Sequence, residues 1–229
     1  MKSVLVVAAH PDDEVLGAGA TLARLADEGN DVHLLILSEG ETSRHGNRSG
    51  AAAGKAVKAR EKAAREAAKI IGAAGISFGH FPDNRFDSVD LLELVQRVEA
   101  EAERVKPQAV FTHFAGDLNI DHRLTFDAVM AAFRPRPGAP GQELYSFEVP
   151  SSTGWAGPDV ERAFRPTVYV NVAKYLERKL SAMAAYTMET QPAPHARSLE
   201  AVEALARWRG AEVGLPAAEA FALLREIRK

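Results

Sequence analysis

His10, Asp12 and Asp13 lie in the stretch AAHPDDE, directly after the apolar run SVLVV and before a segment of helical period. A turn into a helix needs one capping acid. A histidine with three acids at that junction points to a site. His10 and Asp13, three positions apart, can turn toward one point, and imidazole plus carboxylate is a ligand pair for a metal such as zinc. His122 in NIDH is the best third ligand, completing a site with positions open to water and substrate. Asp12 is then left beside the metal without being needed to hold it. A carboxylate there can take a proton from water whose pKa the metal lowers. The competing reading makes Asp12 or Asp13 a helix cap and His10 a strand-end histidine. A second histidine-bearing loop at the same sheet edge weighs against it.

These loops need a scaffold. Short runs rich in Val, Ile and Phe alternate with longer helical-period segments, which predicts βαβ units around a mostly parallel sheet. Strands are expected at Ser3 to Ala9, Asp31 to Leu37, Ile76 to Phe81, Gln108 to His113, Glu143 to Val149 and Thr167 to Val172. Helices are expected after His10, over 55–72, from Leu91 to Val105, up to about Phe133, and at roughly 174–187, 198–210 and 216–228. Residues 40–54, rich in Gly and Ser without a period, read as a loop able to close over substrate, or as a merely flexible one. The fold class is therefore α/β, a Rossmann-like three-layer arrangement with helices on both faces. Ligands in such sheets bind beyond the carboxyl ends of the strands, where the winding reverses. Both HPDD and NIDH fall just after strands.

The chain has 229 residues, 46% hydrophobic and 26% charged, as expected of one globular domain spanning 1–229. A formal net charge of −3 gives no basic stripe and argues against nucleic acid. With no cysteine, disulfides and thiolate chemistry are excluded. No signal peptide is visible, and no run approaches the roughly 20 apolar residues of a membrane helix. A cytoplasmic location is expected.

AAHPDDE after the first strand and DLNIDHR after the fourth resemble the PIG-L/LmbE-like family of metal-dependent N-deacetylases. REKAAREAAKIIG, FPDNRFD, LYSFEVPSST and YTMETQPAPHARS also resemble family segments, so the likeness covers most of the chain. The resemblance implies removal of an N-acetyl group from an amino sugar such as N-acetylglucosamine, or from a conjugate of one. It implies Zn2+, with Fe2+ as the alternative, on His10, Asp13 and His122, and Asp12 as general base toward a metal-bound water. A homo-oligomer is compatible with it.

One departure stands out. Many relatives carry a histidine where this chain has Asn119, and that histidine helps stabilise the oxyanion. Asn119 can donate a hydrogen bond but carries no charge. The role either weakens to Asn119 or moves to His195 in PHARS or to His113, with His195 favoured and ordinary surface and strand-end readings standing beside them. Arg60 and Asp83 match positions that hold sugar hydroxyls, although Arg60 also suits a solvated face. Trp155 can stack on a sugar or cover the core. Asp121 can orient a neighbouring histidine from behind or cap the next helix. An amidase acting on a thiol conjugate or another acylated amine is the alternative enzyme, and a non-catalytic Rossmann-like binding module the alternative class.

Overall fold

β1 (Ser3–Ala8) is buried along Val4 to Ala8 because helices cover both of its faces. In the computed structural model, which describes residues 2–44, 51–137, 142–157 and 163–228, it is an interior strand of a seven-stranded sheet, between β2 and β4. The others are β2 (Asp31–Ser38), β3 (Gly75–Phe81), β4 (Ala109–His113), β5 (Glu143–Phe147), β6 (Val168–Asn171) and β7 (Ala218–Glu226), in the order β3-β2-β1-β4-β5-β7-β6. β1 to β5 pair in parallel, and β7 runs antiparallel between β5 and β6.

α1 (Asp13–Asp27), α2 (Ala51–Ile71), α5 (Leu176–Ala184) and α6 (Leu199–Ala211) cover one face, burying Leu16, Ile71, Met183 and Val202 against the sheet. α3 (Leu91–Val105) and α4 (Ile120–Ala132) cover the other with Leu94, Val98 and Val129. Each such side chain contributes roughly 1.5–3 kcal/mol by leaving water. The fold is thus the expected three-layer α/β arrangement. Its winding reverses between β1 and β4, so the loops leaving those strands share one crevice.

α1 is pressed tightly on the sheet. A Cβ at Gly17 would lie 2.2 Å from the Phe147 ring, so only glycine allows this approach. At its other end Gly29 takes φ +83 and Asn30 N–H donates to Leu25 C=O, closing the helix.

Two expectations are corrected. The segment 216–228 is strand β7, not a helix. Its Ala, Glu and Leu content favours helix locally, but hydrogen-bonding partners on both edges outweigh that weak preference. A register shift in its pairing with β5 also breaks the alternation that marks a strand. Glu219 then reaches from β7 to the N–H groups of Ala20 and Thr21 and pairs with buried Lys179. The expected loop at 40–54 is shorter: Thr42–Arg44 forms a 3-10 turn and α2 begins at Ala51. The remainder of that loop, 45–50, lies outside the described residues. Among the described residues no helix is long and apolar enough to cross a membrane.

Candidate metal centre

The β1–α1 and β4–α4 turns bring His10, Asp13 and His122 together. His10 Nδ1 is 3.2 Å from Asp13 Oδ2 and 3.2 Å from His122 Nε2, and His122 Nε2 is 3.1 Å from Asp13 Oδ2. Metal–ligand bonds near 2.0–2.1 Å at about 100° would set donor atoms roughly 3.2 Å apart. Asp13 Oδ1, also buried, has no hydrogen-bond partner among the described residues. Donor types, spacing and this orphaned oxygen fit a metal held by two histidines and one carboxylate, a set suited to zinc or ferrous iron.

Each histidine is fixed from behind. His10 Nε2 meets Asp121 Oδ2 at 3.0 Å, while Asp121 Oδ1 accepts Phe86 N–H at 2.9 Å. His122 Nδ1 lies 3.2 Å from Asp117 Oδ2, which also accepts the Ser152 and Thr153 hydroxyls. A carboxylate behind a ligating imidazole fixes its tautomer and orientation. Burial works against charge on His122, but Asp13 and Asp117 hold it up at about 9. His113 packs its ring on His122, centroids 3.9 Å apart, and its Nε2 accepts Ala9 N–H. Burial and the neighbouring His122 keep it well below the usual histidine range. Its position is that of a buried strand-end histidine.

Asp12 sits at the N-cap position of α1 yet makes no side-chain cap bond, with φ 111 in a region a non-glycine residue rarely adopts. Its Oδ2 accepts from Arg197 Nη1 at 3.0 Å. Burial pushes the carboxyl up to about 7, with Arg197 acting in the opposite sense.

The remaining expected residues are placed as follows. Arg60 is buried, not solvated, and pairs with Glu41 and, at 2.6 Å, with Glu189. Its guanidinium is thus committed to carboxylates. Asp83 is buried at the centre, with Oδ1 3.5 Å from His10 Nε2 and Oδ2 taken by Ser43. Trp155 is 56% exposed, edge-on to His195. His195 Nδ1 accepts Arg197 N–H. Asn119 caps α4: Oδ1 accepts Asp121 N–H and Nδ2 donates to Asn84 Oδ1.

Asp117, Glu14, Glu189 and the side chain of Arg197 are what sequence reading missed. The polar PHARS loop was the one signal toward Arg197.

Fold and crevice together define a Rossmann-like α/β protein whose switch point presents a two-histidine, one-carboxylate donor set. The chain belongs to the PIG-L family: the family model described as GlcNAc-PI de-N-acetylase matches residues 5–133. It is 29% identical over 188 residues to the uncharacterised deacetylase YaiS of Escherichia coli K12, spanning 80% of this chain and 89% of that protein. It is equally 29% identical over 201 residues to the 4-oxalmesaconate hydratase of Pseudomonas putida KT2440, spanning 80% and 72%. The structure of N,N'-diacetylchitobiose deacetylase from Pyrococcus horikoshii superposes with a TM-score of 0.76 at 20% identity, covering 97% of this chain and 84% of that one. At that identity it supports the fold.

Proposed function

We propose that the chain, folded as a single domain, is a metal-dependent hydrolase that removes an N-acetyl group from an amino sugar or amino-sugar conjugate. The observation that carries this reading is the triangle of His10 Nδ1, Asp13 Oδ2 and His122 Nε2 with Asp12 as the adjoining residue. In this reading those three residues hold Zn2+ or Fe2+, and Asp121 and Asp117 keep both imidazoles aimed at it. The metal, when bound, polarises the amide carbonyl and lowers the pKa of water. Arg197 grips Oδ2 of Asp12, leaving the other oxygen to take the proton from the attacking water. Asp12 then returns that proton to the departing nitrogen as the C–N bond breaks. Acetate and a free amine are the products.

The Pseudomonas relative raises a second reading, hydration of an anionic acid. Charge favours the amide. Asp12, Asp13, Asp83, Asp117 and Asp121 gather at the centre, and Arg60 and Arg197 there are already paired with carboxylates. A polyanion would meet like charge there, whereas a neutral acetamide leaving as an ammonium would not. The test is a screen of N-acetylglucosamine, N,N'-diacetylchitobiose and a nucleotide-linked N-acetyl sugar for acetate, with an unsaturated di- or tricarboxylate as the control. Acetate with equimolar amine is expected; hydration of the control without acetate release would overturn the reading.

A further inference from the structure

Asp12 carries a backbone that its own residue type disfavours, and something must hold it. The left-handed φ of 111 is not stabilised by a cap bond from its side chain. Its carbonyl accepts from the amides of Val15 and Leu16, which fixes one side of the residue to α1. On the other side its N–H donates to Glu14 Oε2 at 3.0 Å. Glu14 has no exposed surface, and its Oε1 accepts the hydroxyl of Tyr186 at 2.5 Å. Tyr186 is itself 1% exposed, on the chain just after α5. An acid in the first turn of a helix normally faces water, where the helix dipole favours it. Here it is turned inward, onto the amide of the residue two before it.

We propose that Glu14 and Tyr186 are positioning residues for Asp12: Tyr186 orients the Glu14 carboxylate, and Glu14 clamps the Asp12 amide in the conformation that presents the carboxylate to the reaction. This rests on Asp12 being the general base. The segment carrying Tyr186 also carries Glu189, which holds Arg197 Nη1 at 2.9 Å. One stretch of chain therefore reaches Asp12 twice, at the amide through Glu14 and at the carboxylate through Arg197.

A double-mutant cycle on the zinc-loaded protein, with N,N'-diacetylchitobiose as the probe, tests this. Glu14→Ala should lower kcat by up to about 10²-fold and Tyr186→Phe by about tenfold, with KM and zinc content unchanged, the scale expected of a misplaced catalytic group. Glu14→Gln should recover to within about threefold, since its amide oxygen still accepts the Asp12 N–H. In an Asp12→Asn background either change should alter the residual rate by less than about twofold, because groups that act as a unit are not additive. Equal fold-losses in both backgrounds would overturn the proposal. If Glu14→Ala does not fold, Tyr186→Phe runs the same cycle. Amide exchange gives a reading that needs no turnover: protection should fall at Asp12 in Tyr186→Phe while α1 keeps its own, and a uniform loss along α1 would overturn the proposal. An Asp12→Asn variant with near wild-type kcat would instead remove the base assignment, and this proposal with it.

Discussion

Arg197 Nη1 lies 3.0 Å from Asp12 Oδ2 and 2.9 Å from Glu189 Oε2. Arg60 meets the other oxygen of Glu189 and, beyond it, Glu41. Alternating charges thus run from the proposed base into the protein, and the side chain of Arg197 is 22% exposed. A charge paired on both sides in this way orients its neighbour more than it adds to stability.

Arg197→Met should therefore lower kcat by up to about 10²-fold with metal still bound, the scale of a misplaced catalytic group. Burial raises Asp12 and Arg197 lowers it. Losing the guanidinium should move the acidic limb of the pH–rate profile to higher pH, because the base then protonates earlier. A limb that stays put or moves down would sever Arg197 from Asp12.

The strain at residue 12 predicts a stability difference. Asp12→Ala and Asp12→Gly both lose the carboxylate, but only glycine takes φ 111 freely. Relief of about 1–3 kcal/mol, less roughly 0.5–1 kcal/mol for the entropy of glycine, should leave the glycine variant more stable. At roughly 2–4 °C per kcal/mol its melting temperature should sit a few degrees above that of Asp12→Ala. Equal melting temperatures would mean that the turn carries no strain.

How much of this was legible follows from where the signals lie. β1 and α1 were readable because apolar runs and a helical stripe are local, and NIDH could be placed beside HPDD because both follow strands. Arg197 and Asp12 are 185 positions apart, and no period connects them. That Asn119 also caps α4 and donates to Asn84 was not legible, because Asn84 lies 35 positions away in sequence. β7 was misread because its composition suits a helix, while its partners on both edges are distant in sequence.

Gly17→Ala should destabilise the protein by about 1–3 kcal/mol through overpacking against Phe147. Phe147→Leu in the same chain should recover part of that loss, read by denaturant unfolding. Purely additive losses would mean that the two positions do not meet.

Glu101 sets an acid limit on stability. Burial raises its carboxyl, but Arg104, Arg97 and Ser77 outweigh burial and leave it below the usual range. A depressed folded-state value gives stability that is present above the unfolded value and lost as pH falls through the folded one. Glu101→Gln should therefore be less stable than wild type at pH 7 and show a shallower decline below about pH 4.5. Parallel pH–stability curves would contradict this.

The most direct test of the account measures bound metal and acetate release on the same preparations of wild type, Asp12→Asn and Asp13→Ala. Wild type should hold about one metal per chain, as a three-ligand catalytic site does, and release acetate. Asp12→Asn should keep the metal and lose about 10²–10⁴ in rate, as general-base removal does. Asp13→Ala should lose metal and activity together. An Asp13→Ala protein with undiminished metal and turnover, or an Asp12→Asn protein slowed by less than about tenfold, would contradict the site proposed here.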